Sequence, residues 1–206
     1  CAPGDERGTD ALYALIATSG TNGLPKLVAL TQRNLEANVE SILEVLSEAN
    51  LDQAHRFLSF LPLAHAYEHM AGLYLPLYLG GEIFYCDKLD KLSAMMAEVS
   101  PTLMTAVPRL YELLYSRITT QIQKESSLKR YLFETTIRLG QKEQLTVAER
   151  ILDSLCERLV RHKVRQRFGG KLRYFVSGGA ALNPKISEFF QGLGVGILQG
   201  YGQTEA

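Results

Sequence analysis

Apolar residues follow two rhythms along this chain. Short runs dense in apolar residues, bounded by glycine, proline or charge, lie at 12–18, 26–30, 56–61, 82–86, 102–107, 171–176 and 195–199. Runs of this length with such boundaries predict buried strands. Between them, apolar residues return every third or fourth position. Leu35, Val39, Ile42, Leu43 and Leu46 share one face of a helix predicted from an N-cap at Thr31 to about Leu46. The same spacing predicts helices over 66–79, kinked or shortened by Pro76, and over 88–99, with Leu89, Leu92, Met95, Met96 and Val99 on the apolar face. Pro108 suits a helix start, and residues 110–168 predict two or three helices broken near Ser126-Ser127 and Gly140, with Gly169-Gly170 closing them. Asn183-Pro184 predicts a capped short helix to Gln191. Strands alternating with helices predict an α/β fold with mostly parallel pairing.

Composition narrows the class. With 206 residues, 46% of them hydrophobic, the chain can bury a sizeable core. Its 22 basic and 22 acidic residues balance, so bulk electrostatics gives no reason to expect a nucleic-acid partner. Cys1, Cys86 and Cys156 are scattered without metal-ligand spacing, which fits a reduced, cytoplasmic setting. The most apolar stretch, 70–85, is interrupted by Pro76, Gly80-Gly81 and Glu82 and is too short to span a bilayer. Opening at Cys1 and stopping at Ala206, the chain reads as an excised piece of a longer polypeptide.

The densest chemistry lies in Thr18-Ser19-Gly20-Thr21-Asn22-Gly23-Leu24-Pro25-Lys26, after the apolar run from Leu12. A glycine- and hydroxyl-rich loop ending in lysine offers N–H groups, hydroxyls and one ammonium to a polyphosphate. It is not a Walker A loop, because the glycine spacing differs and Leu27 follows the lysine. Further landmarks come in order: Leu30 to Asn34, Phe60 to Glu68, Val107 to Tyr111, Ser177 to Leu182, and Tyr201-Gly202-Gln203-Thr204-Glu205. Taken together, these segments resemble the signature motifs of the adenylate-forming superfamily. Leu61 to His69 and Pro108-Arg109-Leu110-Tyr111 look most like its long-chain fatty acyl-CoA synthetases.

The resemblance implies stacked, mostly parallel sheets flanked by helices. Residues 1–206 would form part of a large N-terminal domain, with a phosphate loop at 18–26, a helical stretch at 110–168, an adenine and magnesium segment at 174–206, and the C-terminal domain absent. It implies that Lys26 neutralises phosphate charge while Ser19, Gly20, Thr21, Asn22 and Gly23 cradle it. Thr18 and Glu205 would lie at magnesium and Thr204 at the α-phosphate. Gly178, Gly179 and Ala180 would form the adenine pocket, with Gly200, Tyr201 and Gly202 beside it and the Tyr201 ring stacked on the base. His65 would lie near the acyl carboxylate. The implied reaction consumes ATP, magnesium, a fatty acid and coenzyme A, releases AMP, and is not completed by these residues alone.

Alternatives at this level are transfer of the acyl group to a carrier protein, and a non-catalytic relative that binds nucleotide or acyl chains. Asn22, Leu27, Gln32 and Ala17 depart from the usual family residues. His65 and His69 are four apart, yet no third zinc ligand accompanies them, and His69 reads as structural. Tyr67, Met70, Ala71, Tyr74 and Leu77 read first as a core face. The basic residues Arg158, Arg161, His162, Lys163, Arg165, Arg167, Lys171 and Arg173 read first as a solvated face and second as a peripheral contact with anionic lipid at the inner membrane face.

Overall fold

The computed structural model of the chain describes residues 10–18, 25–48 and 55–205. Strands β1 (Leu12–Thr18) and β2 (Lys26–Thr31) pair antiparallel as a hairpin. Parallel pairing is not open to them, since the connection is shorter than the dozen or so residues a crossover needs. Helix α1 (Gln32–Glu48) follows at once. Thr31 caps it: the Asn34 N–H donates to Thr31 Oγ1 at 3.3 Å, and the Thr31 N–H donates to Asn34 Oδ1 at 2.9 Å.

The remaining strands form one wholly parallel sheet: β3 (Arg56–Ser59), β4 (Glu82–Tyr85), β5 (Leu103–Ala106), β6 (Tyr174–Ser177) and β7 (Gly196–Gln199). Their spatial order is β4-β3-β5-β6-β7, so the chain leaves β3 to one side for β4 and returns to the other side for β5. That reversal makes the carboxyl ends of β3 and β5 the topological switch point of the sheet, the place where parallel α/β sheets put their ligands.

Between β3 and β4 a single helical stretch comprises α2 (Ala66–Glu68), a π-helical His69–Tyr74 and α3 (Leu75–Tyr78). Pro76 does not end it. Its ring crowds the preceding turn, and the widened π turn, in which the Leu75 N–H reaches Met70 O, takes up the misfit. Helix α4 (Leu92–Val99) is shorter than the 88–99 expected, because the chain from Lys88 forms a turn bonded Lys91 N to Lys88 O at 3.2 Å. Then come α5 (Pro108–Gln123), α6 (Ser127–Gly140), α7 (Val147–Cys156), a π-helical Glu157–Arg161, α8 (His162–Arg167) and α9 (Pro184–Gly192). The expected breaks near Ser126 and Gly140 are present.

Period-two alternation divides the core. Phe57 and Leu103 face α1 and the π-helical stretch through Val39, Leu46 and Leu75. Leu58, Met104, Ala106 and Phe175 face the other way, onto Tyr111, Phe133, Phe189 and Phe190. Arg161 departs from the expected solvated basic face. It is buried, donating to Gly192 O at 2.8 Å and Thr136 O at 3.1 Å and pairing with Asp153 at 2.7 Å, so it clasps α6, α7 and α9 together. Leu77, expected in the core, is exposed because it lies on the outer side of α3. Among the described residues, no helix is long and apolar enough to cross a membrane.

Candidate active site

Two of the candidate segments follow the carboxyl ends of strands in the parallel sheet. Strand β6 ends in Ser177 and runs straight into Gly178-Gly179, while β7 ends in Gln199 and runs into Gly200-Tyr201. The Gly178 N–H donates to Ala106 O at 3.2 Å and the Gly200 N–H to Ser177 O at 2.8 Å, so both glycine segments extend the sheet side by side. Gly178 has no room for a side chain, because a Cβ there would lie 2.4 Å from Tyr67 Cε2. Gly179 has a φ of 81°, which glycine adopts freely. Ala180 is exposed beyond it. Among the described residues, a Cβ on Gly200 or Gly202 would meet nothing within 4 Å, and Tyr201 is 91% exposed, with Gln203 Nε2 donating to its hydroxyl at 3.2 Å. The edge is therefore bare backbone beside a free aromatic face, a surface on which a flat heterocycle can stack.

Thr18 and Lys26 are register partners at the mouth of the β1–β2 hairpin. Ser19, Gly20, Thr21, Asn22 and Gly23 lie outside the described residues. Leu27 pairs with Ala17 inside the ladder and has no left-handed backbone, so leucine fits where the family usually has glycine. The hairpin leans on the π-helical stretch through Tyr13, whose ring lies 6.2 Å from that of His69 and 5.5 Å from that of Tyr74. His65 is exposed at the N-cap of α2, while His69 Nε2 is buried without a hydrogen-bond partner among the described residues. The two histidines therefore do not form a metal pair.

Glu68 is the residue that sequence reasoning missed. It is wholly buried, and its Oε1 accepts from Ser59 Oγ at 2.6 Å and from the Phe60 N–H at 3.2 Å. Its Oε2 accepts from Thr105 Oγ1 at 2.9 Å. The carboxylate thus bridges the ends of β3 and β5 at the switch point. Burial pushes its pKa up from the ordinary range, against the hydrogen bonds of Ser59, Thr105 and Phe60, which pull it down. Beside it, the Tyr67 hydroxyl donates to Val176 O at 2.8 Å, and the Tyr111 hydroxyl donates to the same oxygen at 2.7 Å. Burial and the Glu68 charge raise the Tyr67 pKa, keeping the phenol a donor. A signal for Glu68 was present in the sequence: a glutamate among apolar neighbours, with Gly72 one turn later. A Cβ on Gly72 would lie 2.4 Å from Glu68 Oε1.

Thr204 and Glu205 close the described chain in a turn, half-buried and exposed respectively. Among the described residues no cluster of three His, Cys, Asp or Glu could hold a metal alone. The donor set nevertheless suits magnesium bound chiefly through phosphate oxygens, since that ion takes one or two carboxylates and keeps its other ligands. The exposed Glu205 carboxylate, engaged by no other described residue, is such a donor. A separate cavity of about 440 Å³ lies on the opposite side of the sheet, floored by Met96, Leu110 and Phe133 and rimmed by Arg117, Lys163 and Arg167.

Comparison with known proteins agrees with this geometry. The AMP-binding enzyme family profile matches residues 2–206. Long chain acyl-CoA synthetase 7, peroxisomal, of Arabidopsis thaliana is 35% identical over 192 residues, 91% of this chain and 26% of its own length. Long-chain-fatty-acid–CoA ligase 6 of Mus musculus is 33% identical over 200 residues, 95% of this chain and 28% of its own. The chain therefore spans about a quarter of the curated relatives it matches. ATP-bound MatB from Rhodopseudomonas palustris shares the fold at a TM-score of 0.60 and 24% identity, over 97% of this chain and 30% of that one. The adenylation domain of a carboxylate reductase from Mycobacterium chelonae does so at 0.59 and 24%, over 100% and 28%. With the profile matched along nearly its whole length, the chain belongs to the AMP-binding enzyme family of adenylate-forming proteins.

Proposed function

We propose that this chain supplies the nucleotide and carboxylate sites of an AMP-forming long-chain fatty acid–CoA ligase. The observation that carries the reading is the packing of the bare glycine turn at Gly178 against the ring of Tyr67, which lies two residues after His65 and whose hydroxyl also reaches β6. In the proposed reaction a fatty carboxylate attacks the α-phosphate of ATP, giving acyl-adenylate and pyrophosphate. The thiol of coenzyme A then displaces AMP to form the thioester.

The carboxylate is already a nucleophile at neutral pH, so the first step needs positioning and charge stabilisation rather than a general base. Gly178, Gly179 and Ala180 hold the adenine edge, with Tyr201 stacked on the base beside Gly200 and Gly202. Lys26, with Thr18, Ser19, Gly20, Thr21, Asn22 and Gly23, holds the phosphates; Thr204 bonds the α-phosphate. Magnesium, held by Glu205 and near Thr18, neutralises phosphate charge when bound. His65 steers the carboxylate. The names of the relatives support coenzyme A as acceptor over a carrier protein.

The test is ATP–pyrophosphate exchange by the full-length protein with magnesium and a series of carboxylates from short to long. Exchange that rises with chain length is expected. Silence with every fatty acid, from folded protein, would overturn the reading. Peripheral contact with lipid is a second reading, favoured by the basic rim of the apolar cavity at Arg117, Lys163 and Arg167. Vesicle binding that rises with anionic lipid content is expected, and binding indifferent to it would refute it.

A further inference from the structure

Neighbouring residues on one helical turn reach opposite halves of the site. The Glu68 side chain goes to β3 and β5, and that of Tyr67 goes to β6. We propose that both are positioning residues with divided roles, Glu68 fixing the His65 segment for the carboxylate substrate and Tyr67 fixing the Gly178-Gly179 turn for the nucleotide. The proposal rests on the ligase reading above and adds two residues that the family motifs do not place at the ligands.

Glu68 acts as an anchor. The segment from Phe60 to His65 leaves β3 with the Phe60 side chain packed on the core and its N–H held by the carboxylate. Glu68 Oε1 holds the Phe60 N–H at 3.2 Å and Ser59 Oγ at 2.6 Å, and Oε2 holds Thr105 Oγ1 at 2.9 Å. At the far end the His65 N–H donates to Pro62 O at 3.0 Å and His65 O accepts from the His69 N–H at 2.8 Å. The segment is thereby tied at both ends, and His65 stands exposed between them. All the donors to the carboxylate are neutral, so what Glu68 supplies is a multidentate acceptor at the reversal point of the sheet.

Tyr67 acts on different atoms. Its hydroxyl holds Val176 O at 2.8 Å, two residues before the turn, and its ring lies where a Gly178 side chain would be. The ring supports the backbone of the turn from beneath. Removing the hydroxyl leaves Val176 O to Tyr111 alone and frees the Tyr67 ring beneath Gly178 to shift, while the Glu68 bonds to β3 and β5 persist.

The experiment measures ATP–pyrophosphate exchange by the full-length protein with palmitate and MgATP, for the wild type, Glu68→Gln and Tyr67→Phe. Glu68→Gln is expected to raise KM for palmitate on the order of tenfold while KM for ATP stays within about twofold. Tyr67→Phe is expected to do the reverse, raising KM for ATP about fivefold with palmitate little changed. A merely structural role predicts lower melting temperatures with both constants moving together, and that result overturns the proposal, as does the absence of any change. If Glu68→Gln does not fold, Thr105→Val removes one donor and keeps the carboxylate, and its palmitate KM should rise by a smaller factor with the ATP KM unmoved. A wild type without exchange sinks the ligase reading and this proposal together, whereas a working wild type with parallel shifts sinks this proposal alone.

Discussion

The two ends of the candidate site are built in opposite ways. From Ser59 to Gly72 the structure is tight: Glu68 is buried, its oxygens are bonded, and Gly72 is bare because the carboxylate fills the space above it. From Gly200 to Glu205 it is open, with Tyr201 exposed and, among the described residues, nothing within 4 Å of a Cβ on Gly200 or Gly202. One end is preorganised by burial, and the other is preorganised only by the strand that delivers it. Substitutions at the first should therefore disturb stability and activity together, and at the second activity alone.

The strongest test of that contrast pairs Glu68→Ala with Tyr201→Ala. Glu68→Ala strands Ser59, Thr105 and the Phe60 N–H and opens a hole, so it should destabilise by about 2–4 kcal/mol in denaturant titration. Tyr201→Ala should leave stability within about 0.5 kcal/mol and weaken nucleotide binding by about 1 kcal/mol, read by calorimetry. Equal losses of stability would erase the distinction.

A smaller effect separates the glycines. Gly178→Ala drives a Cβ to 2.4 Å from the Tyr67 ring. It should cost about 1–3 kcal/mol, whereas Gly200→Ala should change the denaturation midpoint within error.

The third contrast is in pH. The folded-state pKa of Glu68 is raised by burial, so its contribution to stability is fullest below the unfolded value of 4.5 and fades as pH rises through the folded value. Glu149 is the opposite case: Lys142 and the Thr146 cap lower its pKa to about 2, so its contribution is present above 4.5 and is lost as pH falls toward 2. Relative to Glu68→Gln, the wild type should lose stability as pH rises above 4.5, and relative to Glu149→Gln it should gain stability as pH rises from about 2 to 4.5. Matching slopes for the two comparisons would contradict the buried assignment.

The smallest expected change is at the hairpin. Leu27 occupies an ordinary strand position opposite Ala17, so Leu27→Gly should not speed exchange by more than about twofold. A large gain would mean that leucine impairs the loop.

Much of this fold was legible because local rules govern it. The Thr31 and Asn183 caps, the Pro108 start, the breaks near Ser126 and Gly140, and the strands before each glycine turn follow from hydrogen-bond supply and backbone freedom within a few residues. What was not legible depends on partners distant in sequence. Glu68 meets Thr105 across 37 positions, and Arg161 meets Thr136 and Gly192 across 25 and 31, so neither set of partners follows from the local sequence. The antiparallel hairpin is intermediate, since the short connection forbids a crossover but the surrounding strand–helix rhythm points to parallel pairing. In the candidate site, Gly178, Gly200 and Tyr201 stand out by their motifs, whereas the sequence marks Glu68 only as a glutamate among apolar residues and its partners on β3 and β5 appear with the fold.

One measurement addresses the central claim that nucleotide and fatty carboxylate meet at this edge: calorimetric binding of a non-hydrolysable acyl-sulfamoyl adenosine to the full-length protein. A long-chain version should bind at least about 100-fold more tightly than AMP or the free fatty acid, because it spans both halves of the site as the intermediate does. Affinity no better than that of AMP, from folded protein, would show that the two halves do not form one site.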